Sequence, residues 1–281
     1  MTQHAHHTGV AHVNKTELYY EVAGTGHPLT LIHGMLLDRR SWDDQFDVFA
    51  RQYQVVRYDM QGWGESAQEQ AESAFSPRQD LLSLLDYLNI QQTYLLGLSG
   101  GGEIALDFTL EHPNTVDALI LVASGLSGVP MPLTETVQAF IGQYYGALQQ
   151  KDIPSAVNAT VRMMVDGPRR TPEQVNVKAR SRITTMLTQH IQRHGDFLAH
   201  QQHMLPLELS AIKRLAEVNV PTLIVVGDED MSHVLEMADT LESGIVHAKK
   251  VVIAGTAHHP NMEKPEEFNR VVLEFLHGLQ C

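Results

Sequence analysis

Ser99 stands among glycines in the stretch "YLLGLSGGGEIALDF" (94–108), where a near-continuous apolar run gives way to helical spacing with no loop between them. A turn that tight leaves no room for Cβ atoms two residues before and two residues after the serine, and Gly97 and Gly101 carry none. The turn holds the serine in a strained conformation at its apex with the hydroxyl exposed. The helix that follows points its free N–H groups at the same place, so the Gly100 N–H can donate to a developing oxyanion. The chemistry implied is nucleophilic attack on a carbonyl. A phosphate-binding loop is the competing reading. Against it, the run contains no lysine, has no Gly-Lys-Ser/Thr ending, and sits at the third of the buried runs rather than the first.

A serine hydroxyl is a poor nucleophile without a base, and the base needs an orienting acid. Of the 16 histidines, His258 lies just past an apolar run, three residues beyond Gly255 in "KKVVIAGTAHHPNMEKPEEF", with His259 as its immediate rival. His33 closes the run "LTLIHG" and is better suited to shaping the loop there. His190, His194, His200 and His203 fall in a helical region and read as surface residues. For the acid, "PTLIVVGDEDMSH" offers Asp228, Glu229 and Asp230. The other open position, after "ALILVAS", reads "GLSGVP" and holds no carboxylate. The order along the chain is therefore Ser, acid, His.

These residues must be positioned by a sheet. "TELYYEV" (16–22) alternates like an edge or hairpin strand behind an Asn14-Lys15 turn. Six near-continuous apolar runs, at 29–34, 55–60, 93–99, 118–124, 221–227 and 249–255, read as strands buried on both faces of a parallel sheet. Helical spacing follows at 77–90, with Ser76 as N-cap, Pro77 at the first position and Leu81, Leu84, Leu85 and Leu88 on one face. It recurs after Gly101 and again at 264–279, where Phe268, Val271, Val272 and Phe275 share a side. Such alternation implies an α/β fold with right-handed crossovers and helices on both faces. From Leu126 to Asn219 no strand-like run appears, and prolines divide the segment into several helices. That predicts a helical cap at 126–219 inserted into a core of 1–125 and 220–281.

Composition narrows the partners. The 281 residues carry a formal charge of -13, which disfavours nucleic acid and anionic membranes, and 43% hydrophobic content suffices for a core. The single cysteine, Cys281, permits no internal disulfide and fits a reducing, cytoplasmic setting. "MTQHAHHTGVAH" has no signal-peptide character and reads as a frayed tail; His4, His6, His7 and His12 offer at most weak metal binding. No apolar run is long enough to span a membrane. A homodimer is possible through apolar cap residues.

At this point the chain resembles the α/β-hydrolase superfamily from about Thr16 to its C-terminus. "LIHGMLLDRRSWDDQ" resembles the oxyanion loop, in which the residue after His-Gly, here Met35, donates its N–H. "VVRYDMQGWGES" resembles an Asp-x-Arg-Gly-x-Gly-x-Ser segment with Gln61 in place of the arginine, which removes an ion pair and loosens the loop. "GLSGGG" matches the nucleophile elbow. "VVGDED" matches Gly-x-x-Asp and selects Asp230. "GTAHHPNMEKPEEF" resembles Gly-x-Gly-His-x-Pro-x-x-Glu-x-Pro, with Ala257 for the second glycine, and selects His258.

The resemblance implies a Ser99–His258–Asp230 triad, an oxyanion hole at Met35 and Gly100, and no metal or organic cofactor. The expected substrate-binding residues are His33, Gly34, Trp63, Leu98, Leu126 and Met131. The motifs are similar to those of enol-lactonases, small-ester hydrolases and haloperoxidase-like perhydrolases. A serine at 99 speaks against haloalkane dehalogenases and epoxide hydrolases, which use aspartate. The expected reaction is hydrolysis of a small ester or lactone. Carbon–carbon bond hydrolysis, perhydrolysis or cyanohydrin cleavage by the same triad, or a ligand sensor on this scaffold, are the alternatives.

Overall fold

A computed structural model describes residues 6–67, 74–130, 132, 134–195 and 201–279. Its centre is an eight-stranded sheet in the order β1-β2-β4-β3-β5-β6-β7-β8. β1 (His7–Val13) and β2 (Thr16–Ala23) form an antiparallel hairpin, and β2 pairs antiparallel with β4 (Gln54–Tyr58). All later pairings are parallel and involve β3 (Pro28–Ile32), β5 (Thr93–Leu98), β6 (Val116–Val122), β7 (Thr222–Gly227) and β8 (Ala248–Ile253). Asn14 and Lys15 both take positive φ (45° and 66°), the backbone that joins a two-residue hairpin without splaying its strands.

The N-terminal residues depart from the expected frayed tail. His7–Val13 is an edge strand, and the His7 ring reaches the Tyr20 hydroxyl at 3.1 Å. His6 and His12 face the carboxylates of Asp47 and Glu17 instead of one another. His4 and Cys281 lie outside the described residues. Among those described, no three His, Cys, Asp or Glu side chains come together in a way that could hold a metal ion.

Every residue of β5 and of β7 is buried, as continuous apolar runs require when helices cover both faces. The helices of the first half are α1 (Asp43–Phe49), α2 (Pro77–Tyr87) and α3 (Gly100–Glu111). Ser76 caps α2 by accepting from the Gln79 N–H at 3.3 Å. Between β6 and β7 come α4 (Glu135–Gln149), α5 (Ile153–Val161), a π-helical turn (Arg162–Asp166) and α6 (Val177–His194). This insertion rests on the core through α6. Arg182 binds the carboxylates of Asp43 and Asp44 and the Arg40 carbonyl, and Arg193 pairs with Glu65 at 2.9 Å.

α7 (Ser232–Gly244), α8 (Pro260–Glu263) and α9 (Pro265–His277) complete the fold. On α9 the buried stripe is Phe268, Val272 and Leu276, an i, i+4, i+8 face, while Val271 and Phe275 are only half-buried. Each of those three side chains contributes about 1.5–3 kcal/mol by leaving water. No helix among the described residues is long and apolar enough to cross a membrane.

Candidate active site

Parallel pairing brings the C-terminal ends of β3, β5, β7 and β8 to one edge of the sheet, and the candidate residues follow those ends. Ser99 sits between β5 and α3 with φ 54° and ψ -119°, a conformation costing a non-glycine residue on the order of 1–3 kcal/mol. Its backbone is held from both sides. The Ser99 N–H donates to the Val122 carbonyl at 2.8 Å, and its carbonyl accepts from Gly102, Glu103 and Gly125 at 2.9–3.1 Å. The flanking glycines have distinct causes. A Cβ on Gly97 would stand 2.3 Å from the Gly101 carbonyl oxygen, whereas one on Gly101 would strike the His33 carbonyl oxygen, also at 2.3 Å. The second glycine therefore admits the β3 loop, not only the turn itself.

His258, in the loop after β8, lies with Nε2 2.8 Å from Ser99 Oγ and Nδ1 2.9 Å from Asp230 Oδ2. Asp230 Oδ1 accepts the Met231 N–H at 2.8 Å. Histidine and aspartate are buried, with 4% and 1% exposure, so neither contact competes with bulk water. The rivals are engaged elsewhere. Asp228 Oδ1 accepts the Gly255 N–H at 2.5 Å, and Glu229 pairs with Arg169 at 2.8 Å. His259 packs edge-on against His258 with ring centroids 5.3 Å apart. Burial, then the neighbouring His258, pushes its pKa well below the usual histidine value. A neutral His259 adds no repulsion when His258 takes a proton.

Met35 and Gly100, the expected oxyanion donors, lie side by side. Gly100 opens α3, so its N–H has no partner within the helix. The Met35 side chain lies over it, since a Cβ on Gly100 would be 2.6 Å from Met35 Cγ. His33 shapes this loop from behind. Its Nε2 accepts the Met60 N–H at 3.0 Å, which leaves the proton on Nδ1 to be donated to the Gly34 carbonyl at 2.8 Å. The loop expected to be loose at Gln61 is tied down by another cation. Arg39 donates to Asp59 through Nη1 and its backbone N–H, both at 2.7 Å.

Of the substrate-binding candidates, Leu126 lines a cavity of about 420 Å³. His33, Gly34, Trp63 and Leu98 line neither that cavity nor the one at Met35 and Gly100. All four are buried, Trp63 stacks on His190 with centroids 5.9 Å apart, and both ring nitrogens of His33 are bound to backbone, so they back the site from within the core. Met131 lies outside the described residues.

Two wall residues were not anticipated. Glu103 borders both the 420 Å³ cavity and a second one of about 240 Å³ that includes Met35, Gly100 and Asp107. Burial, reinforced by the charge of Asp107 and opposed by Arg78, raises its pKa to about 7. His233, on α7, borders the larger cavity; burial lowers its pKa, with Asp230 opposing and His258 assisting. The signal for Glu103 was a carboxylate on the first turn of the elbow helix, in the otherwise apolar run "EIAL".

The sequence profile of the alpha/beta hydrolase fold matches residues 27–265. The chain belongs to the alpha/beta hydrolase family. It is 29% identical over 272 residues to a 2-hydroxy-6-oxononadienedioate/2-hydroxy-6-oxononatrienedioate hydrolase of Pseudomonas putida, covering 92% of this chain and 91% of that one. Among solved structures it shares its fold with a thermophilic esterase from Thermogutta terrifontis, at TM-score 0.79, 22% identity and full coverage of both chains. It likewise resembles the enol-lactonase from Burkholderia xenovorans LB400, at TM-score 0.78 and 20% identity over 96% of this chain and 100% of that one. The protein is thus a hydrolase of this family, and its elbow, histidine loop and acid loop fall inside the matched region.

Proposed function

We propose that the protein hydrolyses a small, neutral carboxylic ester or lactone through an acyl-enzyme on Ser99. The observation that carries this reading is the unbroken chain from Ser99 Oγ through His258 to Asp230, at 2.8 and 2.9 Å. In it, Ser99 attacks the carbonyl as His258 Nε2 takes the hydroxyl proton. Asp230 holds the Nδ1–H tautomer and stabilises the imidazolium. The Met35 and Gly100 N–H groups receive the oxyanion, each donor worth on the order of 2.7–4 kcal/mol. Collapse expels the alkoxide, which takes the proton from His258. A water, deprotonated by the same nitrogen, then attacks the acyl-enzyme and frees the acid and Ser99.

The Pseudomonas relative favours a second reading, hydrolysis of a carbon–carbon bond in a vinylogous diketone, and its named substrates are dicarboxylates. The cavity at Met35 and Gly100 argues for an uncharged ligand instead. Glu103 and Asp107 border it, and the guanidinium of its one arginine, Arg78, is taken up by Glu111 and by the carbonyls of Leu205 and Pro206.

Mass spectrometry after fluorophosphonate treatment, with turnover of p-nitrophenyl butyrate, a γ-lactone and a 2-hydroxy-6-oxodienedioate, tests both readings. The expected result is one adduct on Ser99 and turnover of ester or lactone that Ser99→Ala abolishes. Preferential turnover of the dienedioate would move the carbon–carbon reading ahead. An unlabelled Ser99 would remove the acyl-enzyme altogether.

A further inference from the structure

Two consecutive arginines of the β6–β7 insertion reach the loops that carry the histidine and its carboxylate, and the steps above use neither. Arg170 and Glu263 face each other almost out of solvent, with 8% and 6% exposure. Arg170 Nη1 donates to Glu263 Oε2 at 2.7 Å and to the Gly255 carbonyl at 2.8 Å, and Nη2 reaches Glu263 Oε1 at 3.2 Å. The same guanidinium donates to the carbonyls of Val165 and Asp166 at 2.6 and 2.9 Å, in the π-helical turn that ends α5. Glu263 Oε1 in turn accepts the N–H of Ala257, the residue before His258, at 2.8 Å. One side chain therefore ties the insertion to both ends of the histidine loop.

The acid loop is touched from the same turn. Gly167 (φ 76°) approaches it so closely that a Cβ would stand 2.5 Å from the Glu229 carbonyl oxygen. Arg169 binds the Glu229 carboxylate at 2.8 Å and the Asp228 carbonyl. This second link is weaker, since the Arg169 side chain is 54% exposed and water screens it.

A buried ion pair adds little net stability, because desolvating both charges offsets most of their attraction. What it supplies here is geometry. A planar fork of donors serves two carboxylate oxygens and three carbonyls at once, which a single ammonium cannot match. We propose that Arg170 is a positioning residue for His258: through Glu263 and the Gly255 carbonyl it locks the histidine loop against the insertion and keeps Nε2 within reach of Ser99. This inference rests on the acyl-enzyme reading of Ser99.

The test is the rate of Ser99 labelling by a fluorophosphonate, with ester kcat and KM, for wild type, Arg170→Met, Arg170→Lys and Glu263→Gln below their melting temperatures. Arg170→Met should label about 100-fold more slowly and lose kcat in step, with KM within about twofold, since a displacement near 1 Å costs that much. Arg170→Lys should recover part of the rate. Glu263→Gln should fall between, because it keeps an acceptor for the Ala257 N–H and loses the ionic partner. A purely structural pair would lower the melting temperature while the folded enzyme labelled at the wild-type rate, and that result overturns the proposal. If Arg170→Met does not fold, wild-type labelling in both other variants overturns it equally. An unlabelled wild type would instead defeat the acyl-enzyme reading.

Discussion

The elbow around Ser99 and the insertion between β6 and β7 are built on opposite principles. At the elbow, backbone meets backbone: Gly97 and Gly101 are fixed by carbonyl oxygens 2.3 Å from where a Cβ would stand. In the insertion, side chains reach far along the sequence. Arg182 finds Asp44 across 138 positions and Arg170 finds Glu263 across 93. A steric demand of the first kind names its residue type locally. A contact of the second kind is satisfied by many residue pairs and leaves no local mark. The proposed nucleophile can therefore be read from a few letters, while the surface that would shape its substrate cannot.

The largest expected effect breaks the site at its proposed acid. Asp230→Asn should lower ester kcat by about 10⁴-fold, because the amide favours the wrong tautomer of His258. Asp228→Asn should leave most activity, since Asp228 bonds the Gly255 N–H rather than the histidine. Steady-state kinetics of the two variants decides it, and the reverse pattern would make Asp228 the acid.

Next in size is a contrast between glycines. Gly101→Ala should destabilise by about 3 kcal/mol, because the methyl meets the His33 carbonyl and neither backbone segment can yield. Gly142→Ala, on an open face of α4 with nothing within 4 Å of the added Cβ, should stabilise by about 0.5–1 kcal/mol through helix propensity alone. Urea unfolding reads both values. A similar loss in each would mean that the insertion is as tightly constrained as the elbow.

The same division explains what the sequence announced. The strands from β3 to β7 were legible because parallel strands buried on both faces become uninterrupted apolar runs. β2 showed by its alternation, and β8, expected to be buried on both faces, is instead a sheet edge with Lys249 and Val252 exposed. β1 was not legible: "HTGVAHV" is an edge strand, half in water, with histidines where a buried strand would carry branched apolar residues. α1 hid because its buried face amounts to Gln45, Phe46 and Phe49 in seven residues. The meeting of Ser99, His258 and Asp230, at 2.8 and 2.9 Å, was foreseeable from strand-end placement and motif spacing. The burial of Trp63 and His33 was not legible, because it depends on His190 and Met60, partners that no local pattern reveals. Gln61 misled for a related reason, since Arg39 came to Asp59 from another loop.

Where elbow and insertion meet stands Glu103, on the first turn of α3, bordering cavities whose other walls include Val129 and Leu207 of the insertion side. Its pKa is raised to about 7, against about 4.5 for the free side chain, chiefly by burial. The native state therefore holds this proton more tightly than the unfolded chain does. Its stabilising contribution is complete below pH 4.5 and disappears as pH climbs through about 7. Glu103→Gln removes the titration, so the variant should match wild type in pH dependence at low pH and gain about 3 kcal/mol on it by pH 8.5. Ionised Glu103 also places a negative charge beside the N-terminus of α3, the proposed oxyanion site, so wild type should fall behind the variant in ester kcat as pH rises from 6 to 8.5. Thermal melts and ester kinetics across that range measure both. Parallel wild-type and variant profiles would mean that water reaches Glu103 and that the insertion does not seal the wall it shares with the elbow.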